Sequence, residues 1–297
     1  MVSLVTGASG FIGSHLARHL RDRGHEVVAI ARGETDILDE GAVRKLVASR
    51  KPDWIFHLAA QSLPRISWEQ PARTFEVNVC GTINLFESVR AAGIDPRIVV
   101  FCSSSEYAPS ERAIPEDAPL APWSPYAISK MAQDQLARLY HARYKLKIVR
   151  VRPFFITGPG KVGDVCSDLA RRILAIEGGD EKAIAVGDLE IVRDIVDIRD
   201  AINAFLLLAE RGEAGQVYNV ATGQGYRIGD LVERLRAASG VRFETKADPS
   251  LLRPIDERVK IGDAAKLRKL GWVPAHTIDE TLSDILDYWR NETPKTS

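Results

Sequence analysis

The chain has 297 residues, enough for one large or two ordinary domains with substantial cores. Its 40 basic and 40 acidic side chains cancel, which excludes a nucleic-acid or polyanion partner recruited by bulk charge. Three widely spaced cysteines, Cys80, Cys102 and Cys166, form no CxxC pair and read as reduced and metal-free. No apolar run reaches membrane-spanning length, and Met1 leads directly into the first strand. We therefore expect a soluble, cytoplasmic protein with no leader and no membrane partner.

Val2–Thr6 reads as a short apolar strand, followed by Gly7-Ala8-Ser9-Gly10-Phe11-Ile12-Gly13 and an amphipathic helix to about Arg23. A strand, a glycine-rich turn and a helix in that order are the context of a dinucleotide site. Gly7 permits the tight turn, Gly10 admits a pyrophosphate and Gly13 lets the helix pack on the sheet. The free N–H groups of Phe11 and Ile12 at the helix start favour phosphate. A second strand, Glu26–Ala31, ends at Arg32, a cation suited to a 2′-phosphate. NADP(H) is thus preferred as cofactor, with NAD(H) the alternative because Glu34 and Asp36 lie close by and could serve a ribose diol.

A helix to about Arg50 leads to the buried strand Asp53–Leu58, and a long helix is expected over Ala72–Ala92. The short segment after Arg32 leaves little room for a full extra strand there. Ile98–Cys102 forms the next strand and ends in Ser103-Ser104-Ser105-Glu106-Tyr107. Hydroxyls at the carboxyl end of a parallel strand face the ligand crevice.

The stretch Trp123–Lys130, WSPYAISK, carries the candidate chemistry. Ser124 suits a helix N-cap and Pro125 the first helical position. Tyr126 and Lys130 then fall on one helix face. A free tyrosine titrates near ~10, and a nearby ammonium favours its phenolate. Alone, such a pair is an ordinary helix surface; beside a dinucleotide turn it is a catalytic candidate.

Together these segments resemble the extended short-chain dehydrogenase/reductases, the NAD-dependent epimerase/dehydratase family. The matching pieces are GASGFIG, PDWIFHLAAQS, SPYAISK, RPFFITGP, VGDLEIVRD and LRP, spread over essentially the whole chain. The resemblance implies a Rossmann-type doubly wound α/β fold with a smaller interleaved substrate region. Residues 1–157 would form the cofactor domain, with 189–221 returning to it; 158–188 and 222–297 would bind a nucleotide sugar. It implies catalytic roles for Tyr126, Lys130 and Ser103, or Ser104 if the loop is one residue short, with Lys130 also lowering the Tyr126 pKa. Asp36, Ile37, Leu58, Ala59, Ala60 and Asn78 would line the cofactor, and His57 would be a packing residue. Arg193, Arg253 and Asp256 would meet the substrate, where Phe155 replaces the usual asparagine.

Within the family the chain is most similar to reductases of GDP-4-keto-6-deoxy-D-mannose, which implies NADPH-dependent reduction of a C4 ketone. The alternatives are a nucleotide-sugar 4-epimerase, a GDP-mannose 4,6-dehydratase and a non-catalytic NADP(H)-binding regulator. Ser105 stands where dehydratases carry a carboxylate, with Glu106 one place later. A homodimer formed by the Ala72–Ala92 and Ser124–Tyr144 helices is also implied.

Overall fold

The computed structural model describes residues 1–31, 33, 35–179, 183–251 and 257–292; Arg32, Glu34, Arg253 and Asp256 lie outside this set. The chain opens with β1 (Val2–Thr6), α1 (Phe11–Asp22), β2 (Glu26–Ile30), α2 (Glu40–Arg50) and β3 (Trp54–His57). Two short helices follow, α3 (Pro64–Glu69) and α4 (Pro71–Phe75), then α5 (Gly81–Ala92), β4 (Arg97–Phe101), α6 (Pro125–Tyr144) and β5 (Lys147–Pro153). The second half comprises β6 (Phe155–Thr157), α7 (Val165–Glu177), β7 (Ala183–Val186), β8 (Val192–Asp197), α8 (Ile198–Arg211) and β9 (Val217–Val220). It ends with β10 (Gly225–Arg227), α9 (Ile228–Ser239), β11 (Glu244–Ala247), β12 (Val259–Lys260), α10 (Ala265–Arg268) and α11 (Ile278–Glu292).

Six parallel strands form the central sheet in the order β2-β1-β3-β4-β5-β9. Strand alternation explains the two helical layers. Leu4, Ile55, Ile98 and Val100 join a core with Val43, Leu85 and Val89 from α2 and α5. Their neighbours Val5, Phe56, Val99 and Phe101 point the other way, toward Leu16 of α1 and Phe205 of α8. β2 stands at the sheet edge and its chain passes directly to α2, so the compressed segment after Arg32 adds no further strand among the described residues.

The expected long helix is interrupted. Between α4 and α5 the residues Glu76–Cys80 form a π-turn, and Asn78 sits at its middle. Such one-turn expansions are rare and re-aim the side chains they carry.

A second layer holds β10-β8-β12, with β6 pairing β8, and a separate β11-β7 ribbon. β8 pairs within the smaller sheet, while its Val196 packs into the core that holds Phe205; α8 follows directly, capped by the Asp197 side chain, which accepts the Arg199 N–H at 2.8 Å. Leu267 and Trp272, near the end of the chain, also pack into the core that holds Phe205. No helix among the described residues is long and apolar enough to cross a membrane.

Candidate active site

The carboxyl ends of β1, β3 and β4 carry the glycine turn, the Leu58-Ala59-Ala60 segment and Ser103 respectively, so the three stretches meet at one edge of the sheet. Gly7 has φ of 71°, and a Cβ there would lie 2.9 Å from the Ala59 nitrogen. A Cβ on Gly13 would sit 2.1 Å from the Gly7 carbonyl oxygen, which confines that position to glycine. Gly10 accepts the Ser14 N–H at 2.8 Å and begins α1, while no acidic side chain occupies the first turn. The helix start therefore keeps its N–H groups and positive dipole end for an anion. These residues fit a dinucleotide pyrophosphate.

Other expected cofactor contacts divide in two. Leu58, Ala59 and Ala60 are partly exposed, and the Ala59 N–H is held by the Thr6 hydroxyl at 3.0 Å. Asp36 is exposed and accepts the Leu38 N–H at 3.0 Å, whereas Ile37 is a core residue against Gly81. Asn78 is fully buried: its carboxamide oxygen accepts from Gln61 N–H at 2.7 Å, and its two N–H groups go to the Gln61 carbonyl at 3.1 Å and the Ser129 hydroxyl at 2.9 Å. This corrects the direct cofactor contact expected of it. Both amide protons are used internally, so Asn78 acts by clamping the turn after β3 to α6.

α6 starts as the sequence predicts. The Ser124 hydroxyl accepts the Ala127 N–H at 3.1 Å and Pro125 takes the first position. Tyr126 is half-buried, and the Ser103 hydroxyl is the neighbouring side chain that favours its phenolate. Ser103 is therefore the hydroxyl brought to the tyrosine; Ser104 is the next residue, also buried, in the turn that follows. Burial pushes the phenol up to about 12, against the pull of Ser103.

Lys130 is 3% exposed, with Nζ donating to the Phe101 carbonyl at 2.7 Å and to Gln133 Oε1 at 2.9 Å. Burial pushes this ammonium down to about 8. The amine's hydrogen bonds run to the strand end and to its own helix. His57 is fully buried between the Thr6 and Thr82 hydroxyls, each at 2.8 Å, and burial with the nearby Lys130 charge pushes it down to about 3. It is the packing residue the sequence suggested.

Glu106 does not face the crevice. Its Oε1 accepts the Ser103 N–H at 2.8 Å while Oε2 lies 3.3 Å from Arg152 Nε. Desolvation and the neighbouring Asp134 push its pKa well above the usual carboxylate range, with Arg152 pulling back. Asp134 in turn accepts from Arg150 at 2.5 Å and Arg152 at 2.9 Å, all three buried. Cys102, Glu106 and Asp134 lie close together, but the two guanidinium groups and Lys130 already balance their charge.

In the second layer, Arg193 is half-buried and donates to the Glu257 carbonyl at 2.7 Å. Asp194 and Asp197 are occupied elsewhere, Asp194 by Thr222, Gly223 and Gly262, and Asp197 by Arg199 and Thr281. Lys260 stands beside Arg193 in register on β12, a second cation that the sequence did not bring to notice. Phe155 is half-buried against the apolar cluster around Cys166 and Ile195, so its ring packs inward rather than replacing a polar contact.

A glycine turn at a sheet edge and a Ser–Tyr–Lys group beside it define a dinucleotide-dependent oxidoreductase of the short-chain type. The family model described as the NAD dependent epimerase/dehydratase family matches residues 3–221, and the chain belongs to that family, within the extended short-chain dehydrogenase/reductases. It is 34% identical to the GDP-6-deoxy-D-mannose reductase of Pseudomonas aeruginosa over 97% of this chain and 96% of that protein. Identity to the UDP-glucose 4-epimerase of Mycolicibacterium smegmatis is 31%, over 99% of this chain and all of that one. Among solved structures, RMD from Pseudomonas aeruginosa complexed with NADPH superposes with a TM-score of 0.91 at 32% identity, covering 98% of this chain and 99% of the other.

Proposed function

We propose that this chain reduces the C4 ketone of a nucleotide-linked 4-keto-6-deoxy sugar with NADPH, most specifically GDP-4-keto-6-deoxy-D-mannose to GDP-D-rhamnose. The observation that carries this reading is the Tyr126 phenol next to the Ser103 hydroxyl and one helical turn from Lys130, at the sheet edge that carries the glycine turn. Likeness to the reductase of Pseudomonas aeruginosa supports the substrate class. Gly7, Gly10, Phe11, Ile12 and Gly13 would hold the cofactor pyrophosphate, Arg32 and Asp36 its adenosine side, and Lys130 the nicotinamide ribose.

Bound there, the dinucleotide supplies a hydride. Tyr126 gives its phenolic proton to the ketone oxygen as negative charge develops on it, and Ser103 donates a hydrogen bond to the same oxygen. Arg193 would pair with the substrate diphosphate, and Arg253 and Asp256 complete that side of the proposal.

A reductase uses the Tyr126 phenol only as a proton donor, whereas an epimerase uses it in turn as base and acid. Dehydration needs a carboxylate facing the sugar, and Glu106 is turned into the Arg152 pair. The test is nicotinamide oxidation against GDP-, UDP-, dTDP- and CDP-linked 4-ketosugars. NADPH should be consumed with a GDP-linked 4-keto-6-deoxy sugar; a sugar interconverted without net cofactor use would favour the epimerase instead.

The proposal includes a homodimer. Phe75 on α4 and Ile128, Leu139 and Tyr144 on α6 are exposed apolar side chains on neighbouring helices, a pattern that suits a self-complementary face. Sedimentation at micromolar concentration should show a dimer that Ile128→Glu with Leu139→Glu converts to monomer. A monomeric parent would overturn this part.

A further inference from the structure

Behind Lys130 runs a hydrogen-bond chain that is fully buried and whose proton positions can all be assigned. The Thr82 hydroxyl lies 2.7 Å from the Asn78 carbonyl, which can only accept, so the hydroxyl proton goes there. Its oxygen then accepts from His57 Nε2 at 2.8 Å and from Gln133 Nε2 at 2.9 Å. His57 is thereby fixed with its proton on Nε2. Its bare Nδ1 accepts the Thr6 hydroxyl at 2.8 Å, and Thr6 still accepts the Ala59 N–H at 3.0 Å. Gln133 has one workable orientation, because the Lys130 ammonium can only donate and requires the amide oxygen that faces it at 2.9 Å. Each link in the chain pairs a donor with an acceptor, and Thr6, His57, Thr82 and Gln133 each show no exposed surface.

We propose that His57, Thr82 and Gln133 form a positioning chain that aims the Lys130 ammonium and ties it to β1, the strand that carries the glycine turn. None of the three reaches the crevice; each acts through its neighbour. A satisfied network of this kind permits a single arrangement, because any other leaves a buried donor without a partner. The inference deepens the catalytic assignment of Lys130 and rests on it, without depending on which sugar is reduced.

The titratable groups packed around Lys130 are His57 from β3, Cys102 and Glu106 from the end of β4 and the turn after it, and Tyr126 and Asp134 on its own helix. Changing Gln133 alters none of these groups themselves, whereas Thr82→Val also removes the acceptor of His57 Nε2. The experiment is NADPH affinity measured by fluorescence titration from pH 6 to 10, independent of any sugar substrate. Affinity should fall as Lys130 loses its proton. Gln133→Leu removes an acceptor from the ammonium and should move that fall to lower pH by about half a unit or more. Gln133→Glu sets a carboxylate beside it and should move the fall to higher pH by at least a similar amount. Thr82→Val should shift it in the Gln133→Leu direction, with Thr82→Ser restoring the parent profile.

Opposite shifts from the two Gln133 variants are something a loss of packing alone cannot produce. A parent protein with no such fall, a fall that none of the variants moves, or Gln133→Leu and Gln133→Glu moving it the same way would overturn the proposal. Absence of turnover with every ketosugar would instead count against the reductase reading and leave this measurement intact.

Discussion

Replacing Tyr126 by phenylalanine should lower turnover by at least ~10²-fold while leaving NADPH affinity within a few-fold of the parent, because a positioned general acid contributes about 10²–10⁴ in rate. The substitution removes one oxygen from a half-buried side chain whose hydroxyl neighbours that of Ser103. The ring, the N-capped start of α6 and Lys130 stay where they are. Loss of rate without loss of binding is therefore the signature of a proton donor rather than of a packing residue. Steady-state rates beside fluorescence titration of NADPH make the check, and a variant that turns over at the parental rate would remove Tyr126 from the mechanism. Ser103→Ala should lose less, since it withdraws one hydrogen bond to the ketone oxygen and leaves the acid in place.

The largest stability effect is expected at Asp134. Its carboxylate is fully buried and accepts from both Arg150 and Arg152. Asp134→Ala strands two guanidinium groups in the interior with Glu106 alone to offset them, and breaking a buried pair in this way costs about 3–5 kcal/mol. A chain of this size should lose on the order of 10 °C in melting temperature. The exposed Glu40–Arg44 pair one turn apart on α2 should by contrast be nearly silent when removed, because solvent screens it. Thermal unfolding of the two variants side by side reads the difference. Similar melting points would mean that the Arg150–Asp134–Arg152 group contributes far less than its burial implies.

How much of this was readable beforehand varies by element. The glycine turn was legible because strand, turn and helix are contiguous, and each glycine answers a contact that a Cβ would break. The start of α6 was legible to the residue, since Ser124 caps it at 3.1 Å and Pro125 takes the first helical position. Strands β6, β10 and β12 have three, three and two residues, too few for any alternation to register. Their pairing with β8 was therefore invisible.

Side-chain direction was the other blind spot. The family resemblance brought Ser103 and Tyr126 together, but it could not tell that the short helical turn after Ser103 aims Glu106 inward to cap Ser103. Asn78 was placed near the site correctly in space and wrongly in role, because the π-turn points its amide at Gln61 instead of the crevice. Gln133 was missed although its signal was present. It lies three residues after Lys130 on the same helix face, within reach of the ammonium.

The most direct trial of the account follows the hydride. NADPH carrying deuterium at the transferable C4 position, incubated with GDP-4-keto-6-deoxy-D-mannose, should yield one deuterium at C4 of the product sugar for each NADP⁺ formed. Product without the label, or no NADP⁺ formed at all, would contradict it.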